Sequence, residues 1–184
     1  MPIMPSSPSA LLRTPPFLVA LPAPIVFHAA SLPAQAVYPR HAHAWGEFVH
    51  AFSGVMEIKL ADRHYLAPPQ YGIWLPPDTL HVGFNRHAAS FCSVYLAPEL
   101  CCALPTAPCA LTVGPLLRAL LGELRAHPPP LAPNLQDQRL LQVLLDTLIR
   151  APHAGSYLPG SNDLLLEPVL KALAASPGDP RSLP

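Results

Sequence analysis

The sequence of 184 residues predicts a mainly β fold followed by α-helices, on three observations. Proline outnumbers glycine 27 to 9. Each proline costs about 3 kcal/mol inside a helix, so an all-helical bundle is excluded and short segments between rigid turns are expected. From about Leu18 to Leu96 the apolar residues fall in short β-type runs closed by Pro, Gly or Asp, the texture of a sandwich or barrel. After Pro98 the apolar spacing turns helical.

In chain order, residues 1–17 carry Pro2, Pro5, Pro8, Pro15 and Pro16 among serines and are expected to be a disordered arm. The β-type runs are Ile25–His28, Trp45–Phe52, Gly54–Leu60, Tyr71–Leu75 and Phe91–Leu96. Within the third, Met56, Ile58 and Leu60 alternate with Glu57 and Lys59, the period of a half-buried strand. Ala61–His64 is a polar turn leading to Tyr65–Leu66. Gly114–His127 places Leu116, Leu117, Leu120, Leu121 and Leu124 at helical spacing and stops at Pro128–Pro130. Leu135–Arg150 repeats the pattern, with Asn134 placed to cap its start and Pro152 just past its end. A third helix is expected from about Leu164 to Ala175, with Pro168 near its first turn. The division read from this is an arm (1–17), a β-barrel (18–98), a helical linker and dimerisation segment (99–158) and the start of a further domain (159–184).

Composition excludes several functions. With 51% hydrophobic and only 12% charged residues, the chain has ample apolar surface to bury and is not a solvated, disordered segment. Eleven basic and eleven acidic side chains cancel, so it lacks the basic excess that grips nucleic acid. No apolar run reaches the roughly 20 residues that span a bilayer. The stretch Phe17–Phe27 is broken by Pro22 and Pro24, which spoil it as a signal peptide, and no membrane association is expected. Cys92, Cys101, Cys102 and Cys109 form no C-x-x-C pair, and reduced thiols in a cytoplasm are the simplest reading.

One stretch carries chemistry: His41-Ala42-His43-Ala44-Trp45-Gly46-Glu47, followed by Gly54. Histidines at i and i+2 on a strand share one side of a sheet, and Glu47 returns on the neighbouring strand. Pro76-Pro77-Asp78-Thr79-Leu80-His81 and then Asn85 supply a third imidazole. Three imidazoles and a carboxylate suit a divalent transition metal such as Zn, Ni, Fe, Mn or Cu. The alternative is a metal-free pocket in which the same side chains bind an effector. Trp45, Tyr71, Trp74, Phe84 and Asn85 are candidates for the wall of a ligand pocket, with packing in the core as the other reading for the aromatics. His28, His50, His64, His87, His127 and His153 fit no ligand spacing. His50, three residues past Glu47, is expected to face away from that carboxylate.

The spacings H-x-H-x3-E-x6-G and P-x-x-x-x-H-x3-N resemble the two motifs of the cupin superfamily, small double-sheet β-barrels of jelly-roll type. The resemblance puts His41, His43, Glu47 and His81 on the four metal-binding positions, and Gly54 and Asn85 on the Gly and Asn positions. The second motif departs from the pattern at Asp78, which stands where a glycine is expected. H-A-H-A-W-G-E-F, G-V-M-E-I, L-A-P-P-Q-Y-G-I-W-L-P-P-D-T-L-H and S-V-Y-L together look like the N-terminal sensor half of an AraC-type transcriptional regulator, many of which carry Gln at the position of Glu47. Glu167–Leu183 looks like the first helix of that family's helix-turn-helix domain. The resemblance implies a cupin-like barrel followed by two or three helices, a homodimer, a small-molecule or metal effector, and DNA contact only through a helix-turn-helix domain absent from this sequence. It favours a non-enzymatic sensor. A metal-dependent cupin enzyme, a dioxygenase or isomerase, is the alternative.

Overall fold

The computed structural model describes residues 11–154, 158–159 and 168–169. Its strands are β1 (Leu11–Leu12), β2 (Ile25–Leu32), β3 (Ala36–His41), β4 (Gly46–Ser53), β5 (Met56–Lys59), β6 (Arg63–Ala67), β7 (Tyr71–Leu75), β8 (His81–Phe84), β9 (Ala89–Leu96), β10 (Cys109–Thr112), β11 (His153–Ala154) and β12 (Leu158–Pro159). The α-helices α1 (Pro115–Ala126) and α2 (Leu135–Ile149) follow, and Pro168 and Val169 are also helical. Neither α1 nor α2 is long and apolar enough to cross a membrane.

The strands form two six-stranded sheets, ordered β1-β3-β8-β5-β6-β12 and β11-β10-β7-β4-β9-β2. The antiparallel pairs β2–β9, β3–β8, β4–β7 and β5–β6 are nested, the last inside all the others, which is the connectivity of a double-sheet jelly roll. The closed barrel expected from sequence is replaced by two separate layers. Their edges end in two-residue strands at β1, β11 and β12, too short to carry hydrogen bonding from one layer into the other.

Alternation along the strands divides the interior in two. Val49, Ala51, Ile73, Leu75 and Phe91 point between the sheets and pack on Met56, Ile58 and Tyr65. Phe48, Trp74, Cys92, Val94 and Leu96 point the other way, onto Leu117, Leu121 and Leu124 of α1 and Leu141, Leu144 and Leu148 of α2. The helices thus cover the outer face of the β4 sheet. They start where local chemistry dictates: Pro115 opens α1, and the Asn134 side chain accepts from the backbone N–H groups of Gln136 and Asp137.

Several boundaries move. Residues 11–17 are not a free arm: Leu11 and Leu12 pair in parallel with Ala36 and Val37, and Phe17 packs edge-on against Tyr95 at 5.5 Å. The β region does not end at 98, because β10 extends the sheet beside β7 and β11 pairs with β10. The polar turn is tighter than Ala61–His64: Arg63 and His64 already belong to β6, and Leu60 N–H donates to Arg63 O at 2.8 Å. The third helix and the 159–184 segment fall almost entirely outside the described residues.

Candidate metal and ligand site

His41 ends β3 and lies directly across from His81, the first residue of β8, so both imidazoles leave the same face of one sheet. His43 lies beyond the end of β3, not on it, in the loop that crosses to β4. Glu47 follows on β4 and belongs to the opposite sheet. The site therefore spans the gap between the layers, whereas the sequence spacing predicts Glu47 on a neighbouring strand. The loop and the second motif are tied together, since Asp78 N–H donates to His43 O at 2.8 Å. Asp78 itself has φ of 61°, the left-handed region. That accounts for the glycine usual at this position and for the tolerance of Asp there.

One ring nitrogen from each of His41, His43 and His81 lies within 4.8 Å of the others. Every Nδ1 is committed elsewhere: His41 to Pro39 O at 2.7 Å, His43 to Trp45 O at 2.7 Å and His81 to Thr79 O at 2.8 Å. These contacts require Nδ1–H to donate, which leaves Nε2 as the ligating nitrogen. Oε2 of Glu47 lies 3.1 Å from His43 Nε2 and 3.6 Å from His81 Nε2. Two donors sharing a metal at about 2.1 Å stand roughly 3 to 3.5 Å apart. The Glu47 contacts are close to that spacing, and the three imidazole nitrogens, which group within 4.8 Å of one another without Glu47, are the set that could hold a metal ion.

Burial and charge oppose each other here. Burial pushes the Glu47 carboxyl up, but hydrogen bonds from His43 and Ser93 and the charges of His81 and His43 outweigh it and hold the pKa below its usual value. Burial works against charge on His43, and the Glu47 carboxylate reverses that and raises its pKa. For His81 burial wins over the attraction of Glu47, and its pKa is lowered.

Beside this cluster is a cavity of about 30 Å³ lined by Pro15, Pro16, Tyr38, His41, Glu47, Val49, Met56, Ile58, His81, Gly83, Phe91, Ser93 and Tyr95. That volume holds an ion or about two waters.

The five candidates for a pocket wall do not line this cavity. Trp45 is buried and stacks on the His43 ring at 5.1 Å. Trp74 faces the helices, and its Nε1–H donates to Pro105 O at 2.7 Å. Tyr71 accepts from His50 Nδ1 at 3.3 Å, Phe84 stacks on His64, and Asn85 donates to Pro33 O and His87 O to close a turn. Strand alternation sends Trp74 outward, and the helices behind the sheet bury it there as fully as a pocket would.

The sequence reading missed Tyr38, Ser93 and Tyr95, which do line the cavity. The available signal was a serine inside the otherwise apolar run Phe91–Leu96, since a buried hydroxyl needs a partner. His28 was also passed over. It pairs with Ser93 across β2–β9, and its buried Nδ1 has no hydrogen-bond partner among the described residues.

A family model described as the AraC-like ligand binding domain matches residues 22–167. The HTH-type transcriptional regulator NimR of Escherichia coli (strain K12) is 27% identical over 139 residues, covering 76% of this chain and 50% of that protein. The chain therefore spans half the length of this curated relative. Among solved structures, the AraC-like transcriptional activator CuxR matches with a TM-score of 0.56 and 12% identity, over 87% of this chain and 64% of that one, a likeness of fold. A cupin-2 domain protein from Shewanella frigidimarina matches over 39% of this chain and 69% of its own, at 14% identity and a TM-score of 0.36. With the family match extending over most of its length, the chain belongs to the AraC-like ligand binding domain family.

Proposed function

We propose that this chain is the sensor domain of an AraC-type transcriptional regulator, and that it holds a divalent transition metal ion on His41, His43 and His81, with Glu47 as a fourth donor. The family is one of ligand-binding domains, not of enzymes. The observation that carries the metal reading is the common tethering of three imidazoles. Each Nδ1 is bound to a backbone carbonyl, and one ring nitrogen of each histidine lies within 4.8 Å of the others. An Nδ1–H held by a carbonyl fixes the orientation of the ring and aims its Nε2, the usual arrangement of a metal-ligating histidine. Zn, Ni, Fe and Mn all suit this set, and the donor types do not choose among them.

When bound, the metal supplies a Lewis-acid position for an oxygen or nitrogen atom of a small effector. The protein's own residues give the cavity its shape: Val49, Met56, Ile58 and Phe91 supply apolar wall, and Tyr38 and Tyr95 supply hydroxyls. A signal requires the effector to bind one arrangement of the regulator better than another. Contact with DNA belongs, in this reading, to a helix-turn-helix domain of the longer regulator, in keeping with the balanced charge of this chain. Two copies pair through α2, which leaves Leu135, Val143 and Ile149 exposed.

The test is elemental analysis of protein purified without a histidine tag, combined with melting in added metal. A stoichiometric transition metal that is lost in His43→Ala is the expected result. Metal-free protein whose melting responds to none of the four ions overturns the metal centre and leaves the family assignment standing.

A further inference from the structure

We infer that Ser93 is a positioning residue of this site: its hydroxyl fixes the Glu47 carboxylate so that one oxygen alone is offered to the imidazoles. The inference rests on the metal reading above. Ser93 is 1% exposed, and its Oγ donates to Glu47 Oε1 at 2.6 Å. That is the length of a charge-assisted O–H···O⁻ bond, stronger than a neutral one. With Oε1 occupied, Oε2 is the oxygen that faces His43 and His81.

The need for such a latch follows from the topology. His41 and His81 come from one sheet and are pinned by their Nδ1 bonds, whereas Glu47 reaches across from the other on a flexible side chain. In register, Glu47 lies opposite Tyr95, and Ser93 lies opposite Val49 on the same inner face. Tyr95 lines the same cavity beside them. Ser93 is thus the rigid, local group that stops the carboxylate from turning. Packing does not call for a serine here, since its neighbours in the cavity wall include Val49 and Phe91. Partners that orient a metal ligand typically carry a 10- to 100-fold effect on affinity, a loss of about that size being expected on their removal.

The experiment uses Co(II) as the probe and follows its visible d–d absorption during titration. Ser93→Thr and Ser93→Val have the same shape and differ in the hydroxyl. Each is titrated alone and in a Glu47→Ala background, and the melting of each metal-free protein is recorded. Ser93→Thr is expected to bind within about threefold of the parent, and Ser93→Val about 10- to 100-fold more weakly with an altered band shape. In the Glu47→Ala background the two are expected to bind alike, because no carboxylate remains to be held. Equal affinity of Thr and Val variants with Glu47 present overturns the inference. So does a gap of the same size without Glu47. If Ser93→Val does not fold, Ser93→Ala takes its place with the same expectation. A parent protein that develops no d–d bands at all refutes the metal reading itself, an outcome distinct from failure of the latch.

Discussion

Oε2 of Glu47 lies 3.6 Å from Nε2 of His81, although the two residues belong to opposite sheets of the jelly roll. The contact makes the candidate site a bridge between layers. A change in charge at Glu47 is therefore felt by both.

Glu47→Gln keeps the size of the side chain and removes its negative charge. Metal affinity is expected to fall about 10- to 100-fold, equivalent to about 1.4 to 2.7 kcal/mol. Isothermal titration with Zn or Ni measures this directly. An unchanged affinity would remove Glu47 from the donor set.

His50 yields a pH prediction away from the site. It is buried between β4 and α1, donates to Tyr71 O, and has its pKa pushed down from 6.5 to about 4 by burial, with Arg118 adding to the effect. Cys92, whose thiol is pushed up by burial, and Arg125, stacked over Phe52, are the other titratable or charged groups placed nearby. Between pH 6.5 and about 4 the unfolded chain binds a proton at this position and the native one does not. Stability from His50 is therefore complete above pH 6.5 and lost as pH falls toward 4, to the extent of about 3 kcal/mol. Melting curves across this range should fall less steeply for His50→Gln than for the parent. Parallel curves would assign acid sensitivity elsewhere.

Asp78 supports a test of backbone strain. Its φ of 61° suits glycine, tolerates Asp and disfavours β-branched residues. Asp78→Gly is expected to hold or raise stability by up to about 1 kcal/mol, and Asp78→Val to lower it by about 1 to 2 kcal/mol or more. Denaturant midpoints decide the point. The bond from its N–H to His43 O predicts that the Val variant also weakens metal binding.

The proposed pairing of two copies through α2 predicts that Val143→Glu, alone or with Ile149→Glu, yields monomer. Both residues are exposed, so the fold itself should tolerate the change. Sedimentation velocity distinguishes the outcomes, and a variant that sediments as the parent does would place any interface on another surface.

How much of this was legible in the sequence depended on whether the information was local. α1, α2, the Asn134 cap, β5 and β7 follow from apolar period and capping chemistry, which act within a few residues. The three histidines and Glu47 stood out by residue type and spacing. β3 and β8 were harder: one contains Pro39 and Arg40, the other has only four residues, and neither forms an apolar run. β4 shows the central difficulty. Gly46 through Ala51 are all buried, because one face meets the opposite sheet and the other meets the helices. Its sequence accordingly gives no alternation to say which side chains look inward.

By itself the sequence determined the order of β and α elements and singled out the candidate metal ligands, since both readings use chemistry carried within short segments. The tertiary structure decided that Glu47 meets the histidines from across the layers, that Ser93 holds it, that Trp74 turns toward the helices, that Leu11 and Leu12 join the β3 sheet, and that Pro15 and Pro16 line the cavity. These are outcomes of register and layer packing between segments far apart in the chain, and no local period encodes them.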